Sequence, residues 1–222
     1  MHNITLISTN HTESGKCNSD ELYKIIESIN PEVIFEELSS KRFDDYYNGI
    51  LTNEKLEVKC IKKYLQSHRA KHLPVDNIAN PNRPSIEILM FEKFGNDAEY
   101  KKIKIKHNLL KAQNGFEYLN SDNSIDLVEK WILSEKRILE STTHNEIFRH
   151  TYELFYEEVD NRENEMLQNI YNYSKENHYN QAVFLLGCAH RKSIIEKIIE
   201  CEKISEIKLN WTIFGNVKKT CL

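Results

Sequence analysis

Three residues of this chain have the side-chain types that a hydrolytic site needs, at positions that a fold could bring together. His11 follows the segment NITLIST, Glu37 lies near the end of PEVIFEEL, and His190 comes three residues after Gly187 in AVFLLGCAH. Imidazole and carboxylate groups act as general acids and bases, and they bind divalent metal ions while leaving positions open for water. We therefore expect His11, Glu37 and His190 to form a catalytic site or a metal site.

Two further charged residues are candidates for contacts with a substrate. Asp76 ends the predicted short strand HLPVD, and its carboxylate either joins the site or caps the loop that follows. Arg162, in DNRENEM, is predicted to open a helix, where a positive charge is unfavourable against the helix dipole. Such an arginine either binds an anion, including a developing oxyanion, or forms an exposed ion pair with Asp160 or Glu158.

Other motifs favour less specific interpretations. Cys188 could be a nucleophile or a soft metal ligand, but a small apolar residue after a buried strand is favoured. His68 and His72 have the i, i+4 spacing of metalloprotease helices without the glutamate that follows the first histidine, which favours chance surface histidines. The basic segment after Gly95 favours a solvated helix face over a phosphate site. No GxSxG, GxxxxGKS or GxGxxG motif is present.

The elements around these residues predict how they meet. NITLIST and PEVIFEEL are typical of short strands, and SDELYKIIESINP between them is typical of an amphipathic helix. A strand, a helix and a strand in sequence predict a right-handed βαβ unit with parallel strands, whose carboxyl ends share one edge of the sheet, where ligands gather. Side chains alternate along a strand, so Glu36 and Glu37 face opposite sides and only one is expected to share a site with His11.

The remaining sequence predicts helices over about 85–179, then the strand AVFLLG, the helix SIIEKIIE and a last strand in SEIKLNWTIFGN. Only six glycines and four prolines among 222 residues favour long helices over a turn-rich β architecture. We predict an α/β fold with a mixed, largely parallel central sheet, long flanking helices and a helical middle insertion. Residues 1–222 are expected to form a single domain, with the helical portion at about 85–179.

Composition bears on partners and location. The net charge is −4, from 34 acidic and 30 basic residues, so the overall charge does not favour nucleic acid. No segment approaches the roughly 20 apolar residues of a membrane span, and the first residues lack the pattern of a signal peptide. Five scattered cysteines without a CxxC pair indicate a reducing compartment. We expect a cytoplasmic protein that binds neither nucleic acid nor membranes.

Several motifs, in their order along the chain, resemble the Tiki/TraB/GumN family, which is related to the erythromycin esterase and ChaN proteins. STNH at 8–11 is similar to the first GxxH motif, with Ser8 in place of the usual glycine, and GCAH at 187–190 matches the second. PEVIFEELSSKRF at 31–43 resembles the second strand and the start of its helix, and LPVD resembles a strand that ends in aspartate. NRENEM resembles the arginine segment, with Glu163 where aspartate or asparagine is more usual.

This resemblance implies an α/β fold in which histidines and a glutamate meet in one cleft. It selects Glu37 rather than Glu36, and it adds Arg42 and Asp76 as substrate-binding candidates. In the Tiki branch it implies a metal-dependent peptidase, and in the erythromycin esterase relatives a lactone opened by an activated water. In the ChaN relatives it implies an association with haem.

Together these observations predict a metal-assisted hydrolase of peptide or amide bonds, with esters or lactones next. His11, Glu37 and His190 are expected to bind a divalent transition metal such as Mn, Co or Zn, or to activate water. Arg162 is expected to stabilise the anion formed at the attacked carbonyl. The alternatives are a non-catalytic module that binds haem or another ligand in the cleft, and a regulatory domain that binds a peptide without cutting it. The substrate, a peptide or a small molecule, and the oligomeric state are left open.

Overall fold

The computed structural model describes residues 2–77, 84–141 and 146–215. The strands are β1 (His2–Thr9), β2 (Val33–Glu36), β3 (Lys71–Pro74), β4 (Gln181–Gly187) and β5 (Leu209–Ile213). The helices are α1 (Ser19–Ile29), α2 (Ser40–Tyr47), α3 (Leu56–Leu65), α4 (Ser85–Asn96), α5 (Ala98–Leu119), α6 (Asp122–Glu140), α7 (Glu146–Glu176) and α8 (Arg191–Ile204). A single turn of 3₁₀ helix, Cys188–His190, links β4 to α8.

The strands form one sheet in the order β3-β2-β4-β1-β5, and every pairing is parallel. The predicted α/β fold is therefore confirmed, with a sheet that is entirely parallel. β1 and β2 point the same way, as a βαβ unit requires, but β4 lies between them. Thr9 pairs with Gly187, and Glu36 pairs with Leu185. The carboxyl ends of β1, β4 and β2 thus lie side by side.

Side chains alternate along each strand, so both faces of the sheet carry apolar side chains, and helices cover both faces. The face covered by α7 and α8 buries Ile4, Leu6, Phe35, Phe184, Met166, Ile170 and Ile194. The face covered by α1, α3 and α5 buries Ile7, Ile34, Val183, Leu22, Ile26, Ile61 and Phe116. This division decides which helices can contribute side chains to each side of the site.

The loop after β1 is held in place by two helices. The Leu56 N–H at the start of α3 donates to the His11 carbonyl at 3.1 Å, and the Lys16 N–H donates to the Ala112 carbonyl of α5 at 2.8 Å. Gly15 has a φ of +55°, and a Cβ there would lie 2.3 Å from the Ala112 carbonyl oxygen. The glycine permits this close contact, which helps to position His11.

One local expectation is wrong. Arg162 lies inside α7 and does not open a helix, because residues 146–176 contain neither glycine nor proline and the helix continues through Asp160. His68 follows the end of α3 and His72 lies in β3, so these histidines do not share a helix. The helical portion expected at about 85–179 corresponds to α4–α7. Within the described ranges, no helix is long and apolar enough to cross a membrane.

Candidate active site

His11, Glu37 and His190 converge around Gly187 at the end of β4. A Cβ placed on Gly187 would lie 3.1 Å from Glu37 Oε2, 3.7 Å from His190 Cδ2 and 3.9 Å from His11 Cε1. The φ of Gly187 is −57°, a value that other residues adopt readily. Space for the surrounding side chains, rather than backbone freedom, therefore explains why a glycine ends this strand.

The neighbouring residues Glu36 and Glu37 face opposite sides, as expected. The Glu36 carboxylate accepts hydrogen bonds from the Tyr47 hydroxyl at 2.9 and 3.0 Å, and it lies 2.9 Å from His72 Nδ1. Glu37 Oε2 instead accepts the Gly187 N–H at 2.6 Å. The structure therefore places Glu37, and not Glu36, beside the two histidines.

Glu37 belongs to a row of alternating charges. Its Oε1 lies 3.4 Å from Arg162 Nη2 and 3.4 Å from His190 Nε2. Arg162 also donates to both oxygens of Asp76, from Nε at 3.0 Å and from Nη2 at 2.8 Å, and the Asp76 side chain is fully buried. Burial raises the pKa of Glu37, but the charge of His190 and the hydrogen bonds to the carboxylate hold it well below its usual range. Glu37 is thus an anion that holds two cations.

His190 lies between two carboxylates. Its Nδ1 is 2.7 Å from Glu163 Oε1, and its Nε2 faces Glu37. The Ser193 hydroxyl donates to Glu163 Oε2 at 2.5 Å, which fixes that carboxylate. Burial lowers the pKa of His190, but the two carboxylates more than offset this and raise it to about 10. His190 is therefore protonated at neutral pH, and both ring nitrogens are donors.

His11 is paired with one carboxylate, that of Glu57 in the first turn of α3. His11 Nδ1 lies 3.2 Å from Glu57 Oε1, which also accepts the Thr9 hydroxyl at 2.5 Å. An ionised carboxylate only accepts hydrogen bonds, so Nδ1 carries the proton and Nε2 the lone pair when the ring is neutral. Burial lowers the pKa of His11, but Glu57 more than offsets this and the pKa lies above its ordinary value. The His11 side chain is 43% exposed, so the ring is accessible to a ligand.

A small cavity lies next to this pair. His11, Glu37, Lys55 and Glu57 are among its lining residues, and its volume is about 10 Å³. This is room for roughly one water molecule. Glu57 Oε2 is buried and has no hydrogen-bond partner among the described residues. His11 and Glu57 both line the cavity, so a water molecule there would lie beside this pair.

The arrangement does not fit the predicted metal site. Both oxygens of Glu37 and both nitrogens of His190 already face hydrogen-bonding partners. The Arg162 guanidinium, 3.4 Å from Glu37, would repel a cation bound there. Across residues 2–77, 84–141 and 146–215, no three His, Cys, Asp or Glu side chains are placed to hold a metal ion. His190 does not fit an axial haem ligand either, because neither ring nitrogen has a free lone pair.

Three residues noted in the sequence do not join the site. Arg42 is exposed on α2, and its side chain makes no hydrogen bond or ion pair with any described residue. Cys188 is buried, and burial raises the pKa of its thiol to about 11, which favours the packing role over a nucleophile. The Ser8 hydroxyl accepts a hydrogen bond from Arg191 at 3.1 Å instead of entering the site.

Sequence reasoning missed Glu57 and noted Glu163 only as a departure from the arginine segment, although these two glutamates are the partners of the two histidines. Each lies on the buried face of a helix. Glu57 stands between the buried residues Leu56 and Val58, and Glu163 comes three residues before the buried Met166. Glutamate is rarely buried unless it is paired. A carboxylate within the apolar pattern of a helix is therefore the signal that could have found both.

Comparison of the chain with models of protein families, with curated proteins and with solved structures finds no match. The functional interpretation therefore depends on the chemistry of the site. The resemblance to the Tiki/TraB/GumN family stays a hypothesis based on the order of short motifs.

Proposed function

We propose that this chain is a hydrolase that cleaves ester or lactone bonds with a water molecule activated by His11. The observation that supports this most directly is the pairing of the accessible His11 with the buried Glu57 beside a cavity of the size of a water molecule. A carboxylate behind an imidazole orients the ring and stabilises the imidazolium that proton transfer produces. In this proposal His11 is the catalytic base and Glu57 is its positioning residue.

The proposed reaction transfers one proton of water to the leaving oxygen by way of His11 and restores the starting protonation state of His11. Water attacks the carbonyl carbon of the ester, and one of its protons passes to His11 Nε2. The carbonyl oxygen becomes an oxyanion. When the intermediate collapses, the bond to the leaving oxygen breaks and that oxygen takes the proton from His11. The products are a carboxylic acid and an alcohol.

Arg162 is the cation that we assign to the oxyanion, since its guanidinium lies 3.4 Å from Glu37, which lines the same small cavity as His11. Arg162 uses Nε and Nη2 for Asp76 and Glu37, and its Nη1 makes no hydrogen bond with the described residues. We assign to Nη1 the contact with the oxyanion, because a donor that is already fixed in place needs no rearrangement during the reaction. Glu37 and the protonated His190 hold the surrounding charges in position.

Esters and lactones suit this site better than peptides. The leaving oxygen of an ester departs with less proton assistance than the nitrogen of an amide. The expected preference for peptide bonds was tied to a metal that polarises the carbonyl, and the side chains around Glu37 do not fit a metal. Amide hydrolysis is therefore the second candidate on the same residues.

The test compares hydrolysis of 4-nitrophenyl acetate by the wild type, His11→Gln and Glu57→Gln. Loss of the base is expected to lower kcat/KM by about 100-fold or more, and loss of the positioning carboxylate by about tenfold. Glu57→Gln also shifts the rise of activity with pH to lower pH, because Glu57 holds the pKa of His11 above its ordinary value. The matched control is Glu21→Gln, since Glu21 also lies in the first turn of a helix but pairs with the exposed Lys24.

Wild-type activity in His11→Gln would show the proposal to be wrong. The same assay with a chelator, and with added Mn, Co or Zn, tests the metal directly, together with the thermal unfolding midpoint. We expect no change. Activity lost to the chelator and restored by one metal would support metal-assisted hydrolysis instead, and binding of haem without turnover would support the binding module.

A further inference from the structure

One of the residues that line a cavity beside His11 is a lysine that has no role in the proposed reaction. The cavity has a volume of about 320 Å³, and His11 forms part of its wall. Its charged lining residues, apart from the histidine, are Glu13, Glu54, Lys55 and Lys59. A substrate whose carbonyl approaches His11 from this side would extend into the cavity.

Most of these charges are already neutralised. Lys59 Nζ lies 3.1 Å from Glu13 Oε2, and Glu54 Oε1 lies 2.5 Å from Lys62 Nζ. Lys55 differs, because its ammonium makes no hydrogen bond or ion pair with any residue in the ranges that the structure describes. The cavity therefore contributes one uncompensated positive charge next to the base.

Helix stability does not explain the place of Lys55. It is the N-cap residue of α3, and its side chain makes no capping hydrogen bond. Serine, threonine, aspartate and asparagine are preferred at this position, and a cation there is unfavourable against the helix dipole. Lys55 also lines the water-sized cavity that His11 and Glu57 share. It is the residue that both cavities have in common with His11.

We propose that Lys55 binds a carboxylate of the substrate, so that the enzyme prefers esters with an anionic group near the bond that is cleaved. An ammonium and a carboxylate form charge-assisted hydrogen bonds, which are stronger than neutral ones, and the partial burial of Lys55 reduces screening by water. This inference rests on the proposed hydrolase and names its substrate class.

The first measurement uses two esters that differ mainly in charge, 4-acetoxybenzoate and 4-acetoxybenzamide. Lys55→Met is expected to raise KM for the anionic ester about tenfold and to leave kcat, and both constants for the neutral ester, within about twofold. Lys55→Arg keeps the charge and is expected to retain the preference. The control is Lys63→Met, since Lys63 lies on the same helix and pairs with Asp20. An unchanged KM for the anionic ester in Lys55→Met would overturn the proposal.

A binding measurement separates this inference from the hydrolase. The probe is 4-acetamidobenzoate, the amide counterpart of the anionic ester, titrated calorimetrically into the wild type and Lys55→Met. Binding about tenfold weaker in the variant, with neither ester hydrolysed by the wild type, would remove the hydrolase and keep the anion site. Equal binding to both proteins, or no binding to the wild type, would overturn the anion site whether or not esters are cleaved.

Discussion

The two histidines of the site are built from the same parts but differ in charge and exposure. Each contacts a buried glutamate of a helix, Glu57 of α3 for His11 and Glu163 of α7 for His190. His11 has one carboxylate at 3.2 Å, and its side chain is 43% exposed. His190 lies 2.7 Å and 3.4 Å from two carboxylates, and its side chain is 12% exposed.

The second carboxylate accounts for the difference. Two nearby anions hold His190 as a cation, so it cannot accept a proton, and its charge becomes part of the packing between α7, α8 and the sheet. His11 has one such anion and more solvent, and a base works best when its pKa is close to the working pH. The His190 half comprises His190, Glu163, Glu37, Arg162 and Asp76, and it should affect mainly stability, apart from the oxyanion contact proposed for Arg162. The His11 half comprises His11 and Glu57, and it should affect chemistry.

The largest effect is expected when the His190 half loses a cation. Arg162→Met leaves Asp76, whose side chain is fully buried, without the guanidinium that pairs with it. Breaking a buried pair in this way costs about 3–5 kcal/mol of unfolding free energy, which denaturant unfolding measures. Arg42→Met is the control, because Arg42 is exposed and should cost no more than about 0.5 kcal/mol. Equal losses in the two variants would contradict a structural role for the alternating charges of Asp76, Arg162, Glu37 and His190.

A smaller effect is expected from pH. The pKa of His190 in the folded protein is about 10, above its ordinary 6.5, so its stabilising charge is fully present below about pH 6.5 and is lost as the pH rises through 10. Over that interval the unfolding free energy of the wild type should fall, and His190→Gln should lack this part of the fall.

NMR titration of the ring protons sharpens the same comparison. His11 should lose its proton at a lower pH than His190, because only one carboxylate lies within hydrogen-bonding distance of its ring and the ring is more exposed. Identical pH dependence of stability in the wild type and His190→Gln, or titration of His190 before His11, would contradict the assigned charges.

The smallest effect is expected where the two halves meet. Gly187→Ala places a Cβ 3.1 Å from Glu37 Oε2, so the carboxylate must shift by a few tenths of an ångström. We expect a loss of about 1 kcal/mol of stability and a fall of a few-fold in turnover. Gly95→Ala in α4 is the control, because a Cβ there meets nothing within 4 Å and should stabilise the helix by up to about 1 kcal/mol. Equal effects of the two substitutions would contradict the tight packing at Gly187.

Local sequence patterns predicted much of the strand and helix arrangement that carries the site. The alternation in β1 and β2 and the amphipathic α1 between them predicted two parallel strands whose carboxyl ends share an edge. The same alternation separated Glu36 from Glu37, because neighbouring side chains on a strand face opposite sides. These features depend on residues close in sequence, so the sequence carries them directly.

Arg162 shows where local reasoning failed even though the residue lies in the site. The helix start expected at Arg162 is absent, because the residue lies inside α7. The arginine instead contacts Asp76, 86 residues away, because α7 packs on the face of the sheet where Val75 is buried. Its ion pair depends on that packing. Lys55, at the N-cap of α3, is a cation placed against a helix dipole, and its freedom from ion pairs with the described residues is visible only in the fold.

The sequence by itself determined the α/β fold class and the strand ends that carry His11, Glu37 and His190. The tertiary structure decided what each of these groups can do. Glu57 comes from 46 residues beyond His11, and Glu163 stands 27 residues before His190, each delivered by the packing of a helix. The pKa of a side chain depends on the charges and the burial around it, so the difference between the proposed base His11 and the buried cation His190 arose only when the helices packed against the sheet.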